Sequence, residues 1–229
     1  MIGLPRGLPR VILWDLDGTL IDSAADLTAA LNRLLVEYCS VALAEASVRP
    51  MIGDGAALLV ERAFAAAGVP LGAESRNVAV QRFLHFYGEN AVRETRAFGG
   101  ALAVMDELTR AGCVHGICTN KPCAITAIIL DRLGLAERIG AVVGGDSTPQ
   151  HKPHPAPLLS CLRQLCVPGV SALMIGDSNV DVLAARAAGL PVIVVSFGYS
   201  RDPVQSLGAD AVVDHLDQIP AAIAALAAP

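Results

Sequence analysis

From Ala101 onward the chain repeats one pattern, a helix-periodic stretch followed by a short apolar or β-branched run. Leu102, Met105 and Leu108 lead into 114–119; Ile125, Ile128, Ile129 and Leu133 lead into 141–144; Leu158, Leu162 and Leu165 lead into 172–176. The runs Val192-Ile193-Val194-Val195 and Ala211-Val212-Val213 follow, and Val11-Ile12-Leu13-Trp14 supplies one more near the start. A strand that is apolar at every position must be covered on both faces, and an amphipathic helix needs an apolar surface to cover. The alternation therefore predicts an α/β fold, a doubly wound, mainly parallel sheet between two layers of helices.

The stretch from Asp22 to Arg96 interrupts the pattern. It holds no comparable strand candidate; instead Leu27, Leu31, Leu34, Leu35 and Tyr38 mark one amphipathic helix, and Val80, Phe83, Leu84, Tyr87 and Ala91 another. The expected organisation is an α/β core made of residues 1–21 and 97–229, with an all-helical insert over 22–96 whose apolar stripes pack as bundle core. With 229 residues, 53% of them hydrophobic and 17% charged, the chain can bury a sizeable interior without disulfide or structural-metal staples. The six cysteines, at 39, 113, 118, 123, 161 and 166, form no CxxC pair and no zinc-like set with the histidines, so most are expected to be buried thiols in a reducing compartment.

No apolar stretch is long enough to span a bilayer, and Met1–Arg6 has no signal-peptide pattern, so no membrane partner and a cytoplasmic location are expected. A net charge of −5 without a basic cluster lacks the electrostatic footprint of a nucleic-acid binder. A monomer or homodimer is expected. The alanine-rich Pro220–Pro229 is helix-prone.

In a parallel sheet the C-terminal strand ends line up along one edge, where ligands bind. Candidate chemical residues fall there. Asp15-Leu16-Asp17-Gly18-Thr19 closes the first run; alternate strand residues share a face, so the carboxylates of Asp15 and Asp17 emerge together, and Gly18 lets a ligand approach the backbone. One carboxylate can attack while the other moves a proton. Thr119 offers a hydroxyl at the end of another run, and Lys152, within His151-Lys152-Pro153-His154-Pro155, offers a fixed positive charge. Asp177 and Asp181, one helical turn apart, offer oxygen ligands for a hard cation. Such a set suits phosphoryl transfer. His151 and His154 are read as non-catalytic.

These four groups of residues resemble the four motifs of the haloacid dehalogenase superfamily, and the likeness spans nearly the whole chain. Leu20-Ile21-Asp22-Ser23, Gly53-Asp54-Gly55, Thr119-Asn120-Lys121-Pro122, Lys152-Pro153-His154-Pro155-Ala156-Pro157-Leu158 and Ser196-Phe197-Gly198-Tyr199 are similar to its bacterial phosphoglycolate phosphatase branch. The resemblance implies a Rossmann-like core, a helical cap acting as a lid, and Mg²⁺-dependent hydrolysis of 2-phosphoglycolate or a similar small phosphate monoester through an aspartyl phosphate. It also implies that Asp22, Ser23, Gly53, Asp54 and Gly55 contact the substrate. Phe98-Gly99-Gly100 departs from the usual proline-glycine pair, so a looser junction is expected before the next helix.

A phosphate dianion repels an incoming carboxylate, so attack by Asp15 requires prior neutralisation, which Mg²⁺ held by Asp15, the Asp17 carbonyl and Asp177 would provide. Asp17 is expected to protonate the leaving alkoxide and then activate water, a role that calls for surroundings favouring its neutral form. Thr119 and Lys152, with backbone N–H groups near Gly18 and Asn120, are expected to hold the phosphoryl oxygens, and Asp181 to orient Lys152 or a water of the metal site. Arg49 and Arg62 have the chemistry to pair with a substrate carboxylate, but solvent is the expected environment of both.

Two other functions fit parts of this pattern. A relative of the β-phosphoglucomutases would return the phosphoryl group to a sugar. A signalling receiver domain also has a phosphorylatable aspartate, a threonine and a lysine, but needs neither Asp17 nor a helical insert. Schiff-base phosphonate hydrolysis needs a cap lysine, and residues 22–96 contain none.

Overall fold

None of the four side chains of strand β1 (Val11–Trp14) reaches solvent, because the strand lies in the middle of the sheet. The computed structural model describes residues 9–167 and 171–226. After β1 come the short β2 (Ile21–Asp22), the helices α1 (Ala24–Glu37), α2 (Glu45–Val48), α3 (Ala56–Ala66) and α4 (Ala73–Glu89), and the short β3 (Arg96–Ala97). The remainder alternates through α5 (Ala101–Arg110), β4 (Val114–Cys118), α6 (Cys123–Arg132), β5 (Ile139–Val143), α7 (Ala156–Gln164), β6 (Ala172–Gly176), α8 (Asn179–Ala187) and β7 (Val192–Val195). It closes with β8 (Ala211–Val213) and α9 (Ile219–Leu226).

Six strands form one parallel sheet in the order β5-β4-β1-β6-β7-β8. Val11 and Leu13 enter the core on one face, Ile12 and Trp14 the core on the other. This two-sided burial is what a run apolar at every position requires. The order reverses around β1, which opens a crevice at its C-terminal end. β4 stops one residue before Thr119, and β5 starts two residues earlier than its apolar run because Ile139 pairs with His115 across a register shift.

Between β2 and β3 the described chain is helical. Leu27, Leu31, Leu34 and Leu35 of α1 and Phe83 and Tyr87 of α4 are buried along the expected stripes, whereas Tyr38 lies just beyond α1. α3 has no clean sequence stripe because its apolar residues run on from buried Leu59 and Val60 to exposed Leu58. β2 and β3 pair antiparallel, Ile21 with Ala97 and Asp22 with Arg96, which two-residue strands cannot announce in sequence. Asp26 fastens the same junction, accepting the backbone N–H groups of Glu94 and Thr95 at 3.0 and 2.8 Å and the Thr95 hydroxyl at 2.7 Å.

The junction at Phe98-Gly99-Gly100 is tied rather than loose. The Phe98 N–H donates to the Leu20 carbonyl at 2.9 Å, and its ring lies 4.7 Å from that of Phe197. Three cysteines, Cys113, Cys118 and Cys161, are buried; Cys123 is half-buried, and Cys39 and Cys166 are exposed, fewer buried than expected because the last two sit in turns after α1 and α7. Among the described residues no helix is long and apolar enough to cross a membrane. α9 covers the helix-prone tail as far as Leu226; Met1–Arg6 and residues 227–229 lie outside the described residues.

Candidate active site

Asp15 follows β1, its N–H still bonded to the Ile175 carbonyl of β6 at 2.8 Å, so the sheet itself fixes where the carboxylate emerges. Lys152, on the loop between β5 and α7, donates to Asp15 Oδ1 at 2.7 Å and to Asp181 Oδ1 at 2.6 Å. All three side chains are buried. The second oxygen of Asp181 accepts the Ser178 hydroxyl at 2.8 Å and backbone N–H groups at the start of α8. Asp181 is thus fully occupied in capping its helix and holding Lys152.

Asp177, at the end of β6, accepts the Tyr199 N–H at 2.6 Å. Gly18, at φ 85°, and Gly198 lie so close to Asp177 that a Cβ on either would strike its carboxylate. Acceptor oxygens of Asp15, Asp177 and Asp181 all fall within 4.8 Å of one another. Burial raises the Asp15 carboxyl, Lys152 opposes this, and the charges of Asp181 and Asp17 add to it; the outcome is about 7. Burial, reinforced by Asp181 and Asp15, pushes Asp177 well above the usual carboxylate range. Three buried carboxylates lie together with one lysine, which pairs with Asp15 and Asp181, and among the described residues the oxygens of Asp15 and Asp177 not engaged by Lys152 and Tyr199 are left for a ligand. That donor set, oxygen-only with excess negative charge, fits Mg²⁺.

Asp17 turns away from this cluster. It pairs with Lys121 at 2.9 Å and accepts the hydroxyl of Ser23. The close ionic neighbour of Asp17 is therefore the Lys121 ammonium. Lys121 also donates to the Tyr87 hydroxyl of α4 at 2.9 Å. Burial alone would lower the Lys121 ammonium, but Asp17 and Tyr87 hold it above the ordinary lysine range. Lys121 has a place in the site that its motif alone did not assign. One signal in the sequence could have flagged it: of 17 lysines and arginines, only Lys121 and Lys152 are lysines. Each is buried against one aspartate of Asp15-Leu16-Asp17.

Thr119 is buried directly after β4, its oxygen accepting the Lys121 N–H at 3.1 Å, which leaves its own proton to donate. The side chain of Asn120 is consumed structurally: it donates to the carbonyls of Gly53 and Lys152 at 3.0 and 3.1 Å and accepts the Lys152 N–H at 3.0 Å. Gly18 does not offer its N–H to a ligand, because that group donates to the Ile21 carbonyl at 2.9 Å. Gly53 and Gly55 line a cavity of about 40 Å³ with Asp15, Asp17, Thr119 and Lys121, under apolar Leu27, Ile52, Leu59 and Phe83.

Asp22 and Asp54 stand outside that lining. Asp22 accepts the Tyr199 hydroxyl at 2.7 Å and pairs with Arg49 at 2.5 Å; against burial, these partners hold it below the usual range. Asp54 pairs with Arg62 at 2.5 Å and with Arg201. Arg49 and Arg62 are therefore half-buried ion-pair members rather than solvated surface residues.

A profile of the family described as haloacid dehalogenase-like hydrolase matches residues 12–195. The chain is 47% identical over 211 residues to the phosphoglycolate phosphatase of Rhodospirillum rubrum, covering 90% of this chain and 88% of that protein. It is 41% identical to the phosphoglycolate phosphatase of Caulobacter vibrioides, covering 92% and 89%. The crystal structure of a predicted phosphoglycolate phosphatase from Haemophilus somnus superposes with a TM-score of 0.86 at 29% identity, covering 93% and 96%. With this profile spanning the sheet from β1 to β7 and every motif residue at its C-terminal edge, the chain belongs to the haloacid dehalogenase-like hydrolase family.

Proposed function

We propose that this phosphoric monoester hydrolase is a Mg²⁺-dependent phosphatase that hydrolyses 2-phosphoglycolate through an aspartyl phosphate on Asp15. The observation that carries the reading is the convergence of Asp15, Lys152 and Asp177 at one sheet edge, with Asp15, Asp17 and Thr119 lining a small, largely apolar cavity beside them. The relatives named phosphoglycolate phosphatase support the substrate.

In this proposal Asp15 attacks phosphorus and expels the alkoxide. Lys152 and the Thr119 hydroxyl hold the phosphoryl oxygens as charge spreads over them. Asp17 delivers a proton to the leaving oxygen and later takes one from the water that attacks the phosphoenzyme. Mg²⁺, held by Asp15, Asp177 and the Asp17 carbonyl, supplies charge neutralisation when bound. Residues 22–96 form the cap, whose helices close over the cavity and exclude water. A soluble cytoplasmic monomer or homodimer completes the reading. The direct test is phosphate release from purified protein with 2-phosphoglycolate, with and without Mg²⁺; no release above that from simple alkyl phosphates contradicts the substrate.

Two expected results follow from the site. Asp17→Asn lowers kcat for 2-phosphoglycolate by roughly 10²–10⁴-fold. Its effect on phosphoenzyme formation from p-nitrophenyl phosphate is much smaller, because that leaving group needs little protonation. Rapid-quench measurement of both first steps checks this, and equal losses contradict the role.

The second result concerns stability. Folding raises Asp15 from an ordinary 3.8 to about 7, so between those values the metal-free folded state binds more protons than the unfolded chain. Its contribution to stability is present below about 3.8 and is lost as pH rises toward 7. Mg²⁺ should reverse this, adding about 2.7 kcal/mol at a hundred times its Kd and raising Tm more at neutral pH than at about pH 5. Thermal melts with chelator and with Mg²⁺ at both pH values check the sign; a larger Mg²⁺ effect in acid contradicts it.

A further inference from the structure

2-Phosphoglycolate carries a second anion, a carboxylate two bonds from the ester oxygen, and burying it under apolar walls is costly unless a cation or hydrogen-bond donors meet it. Lys152 is committed to Asp15 and Asp181 at the phosphoryl end. Arg49 and Arg62 do not line the cavity, and each is held by its own carboxylate. Lys121 does line it, and among the described lining residues it is the one cationic side chain. An ammonium has three N–H donors. Two are directed to Asp17 and the Tyr87 hydroxyl, both at 2.9 Å, and the third has no acceptor among the described residues. Lys121 therefore sits one contact beyond the residue that serves the ester oxygen, with a donor to spare. The apolar part of the lining, Leu27, Ile52, Leu59 and Phe83, offers a carboxylate no partner, and the Asn120 side chain is already taken by Gly53 and Lys152.

From this we infer that Lys121, steadied by Tyr87 of the helical insert, binds the substrate carboxylate and so determines specificity for phosphorylated small acids. The inference rests on the phosphoglycolate reading above. Catalysis and selection would then be divided between the two lysines of the chain, Lys152 at the phosphoryl group and Lys121 at the acid.

The test is the ratio of kcat/KM for 2-phosphoglycolate to that for ethyl phosphate, which keeps the ester oxygen but lacks the carboxylate. It is measured with Mg²⁺ in the parent protein and in Lys121→Met, Arg49→Met and Arg62→Met. Any effect of Lys121 through Asp17 acts on both substrates and cancels in the ratio. The expected result is a fall of about 10²-fold in Lys121→Met, expressed mainly in KM, with at most a few-fold change in the arginine variants. Tyr87→Phe should lower the ratio several-fold. Lys121→Gln carries the same expectation and serves if the methionine variant does not fold. Equal losses on both substrates, or a collapse in an arginine variant instead, overturn the role of Lys121. A parent protein with no preference for 2-phosphoglycolate over ethyl phosphate overturns the substrate reading itself, and does so before any variant is made.

Discussion

Asp15→Asn is expected to fold like the parent protein and to lose turnover on the order of 10⁴–10⁶-fold. The amide has nearly the shape of the carboxylate, and its oxygen can still accept from Lys152, so the 2.7 Å contact has a counterpart in the variant. What disappears is the nucleophile: an amide attacks phosphorus poorly because its nitrogen lone pair is delocalised and its oxygen carries no charge. Stability should move the other way. Burial already pushes Asp15 up to about 7, which means that its ionised form is held at a cost, and the neutral amide removes that cost. Metal-free Asp15→Asn should therefore melt no lower than metal-free parent at neutral pH. Activity and melting of mass-verified variant protein check both halves, and near-normal Mg²⁺-dependent turnover would sink the assignment of Asp15.

Lys152→Met should be damaging in both activity and stability. The side chain is 1% exposed, and it is the cation joining Asp15 to Asp181. Methionine fills much the same space, so little cavity cost enters. The loss instead comes from leaving Asp15, Asp177 and Asp181 buried together without the ammonium, about 3–5 kcal/mol when one partner of a buried ion pair is removed. Turnover should fall by roughly 10²–10³-fold or more, since the phosphoryl oxygens lose their fixed positive charge. A double variant with Asp15→Asn should recover part of the stability, because one of the stranded carboxylates is then gone. Denaturant melts in chelator measure this. A Lys152→Met protein as stable as the parent would contradict the electrostatic account of the cluster.

The sheet was readable from sequence because a parallel strand buried on both faces leaves a continuous apolar run, as in Val11–Trp14 and Val192–Val195. Asp15, Thr119 and Asp177 were readable for a related reason: each stands immediately after such a run, where the topology brings strand ends together. The β2–β3 stem was not, since two residues carry no periodicity. Nor were the partners of the polar residues. The family resemblance makes Asp22 and Asp54 substrate contacts, yet Arg49, Tyr199, Arg62 and Arg201 claim them, and such pairings across distant segments leave no local pattern. Lys121 went unread for the same reason, its partners Asp17 and Tyr87 coming from a strand end and a helix of the insert.

The claim on which everything else depends is that Asp15 becomes phosphorylated during turnover. Rapid acid quench of the protein reacting with ³²P-labelled 2-phosphoglycolate, followed by peptide mapping, measures this directly. The account predicts a Mg²⁺-dependent, hydroxylamine-sensitive acyl phosphate on the peptide containing Asp15, absent from Asp15→Asn and longer-lived in Asp17→Asn once formed. Label on any other residue, or rapid phosphate release by the parent with no trapped phosphoenzyme in either the parent or Asp17→Asn, would contradict it.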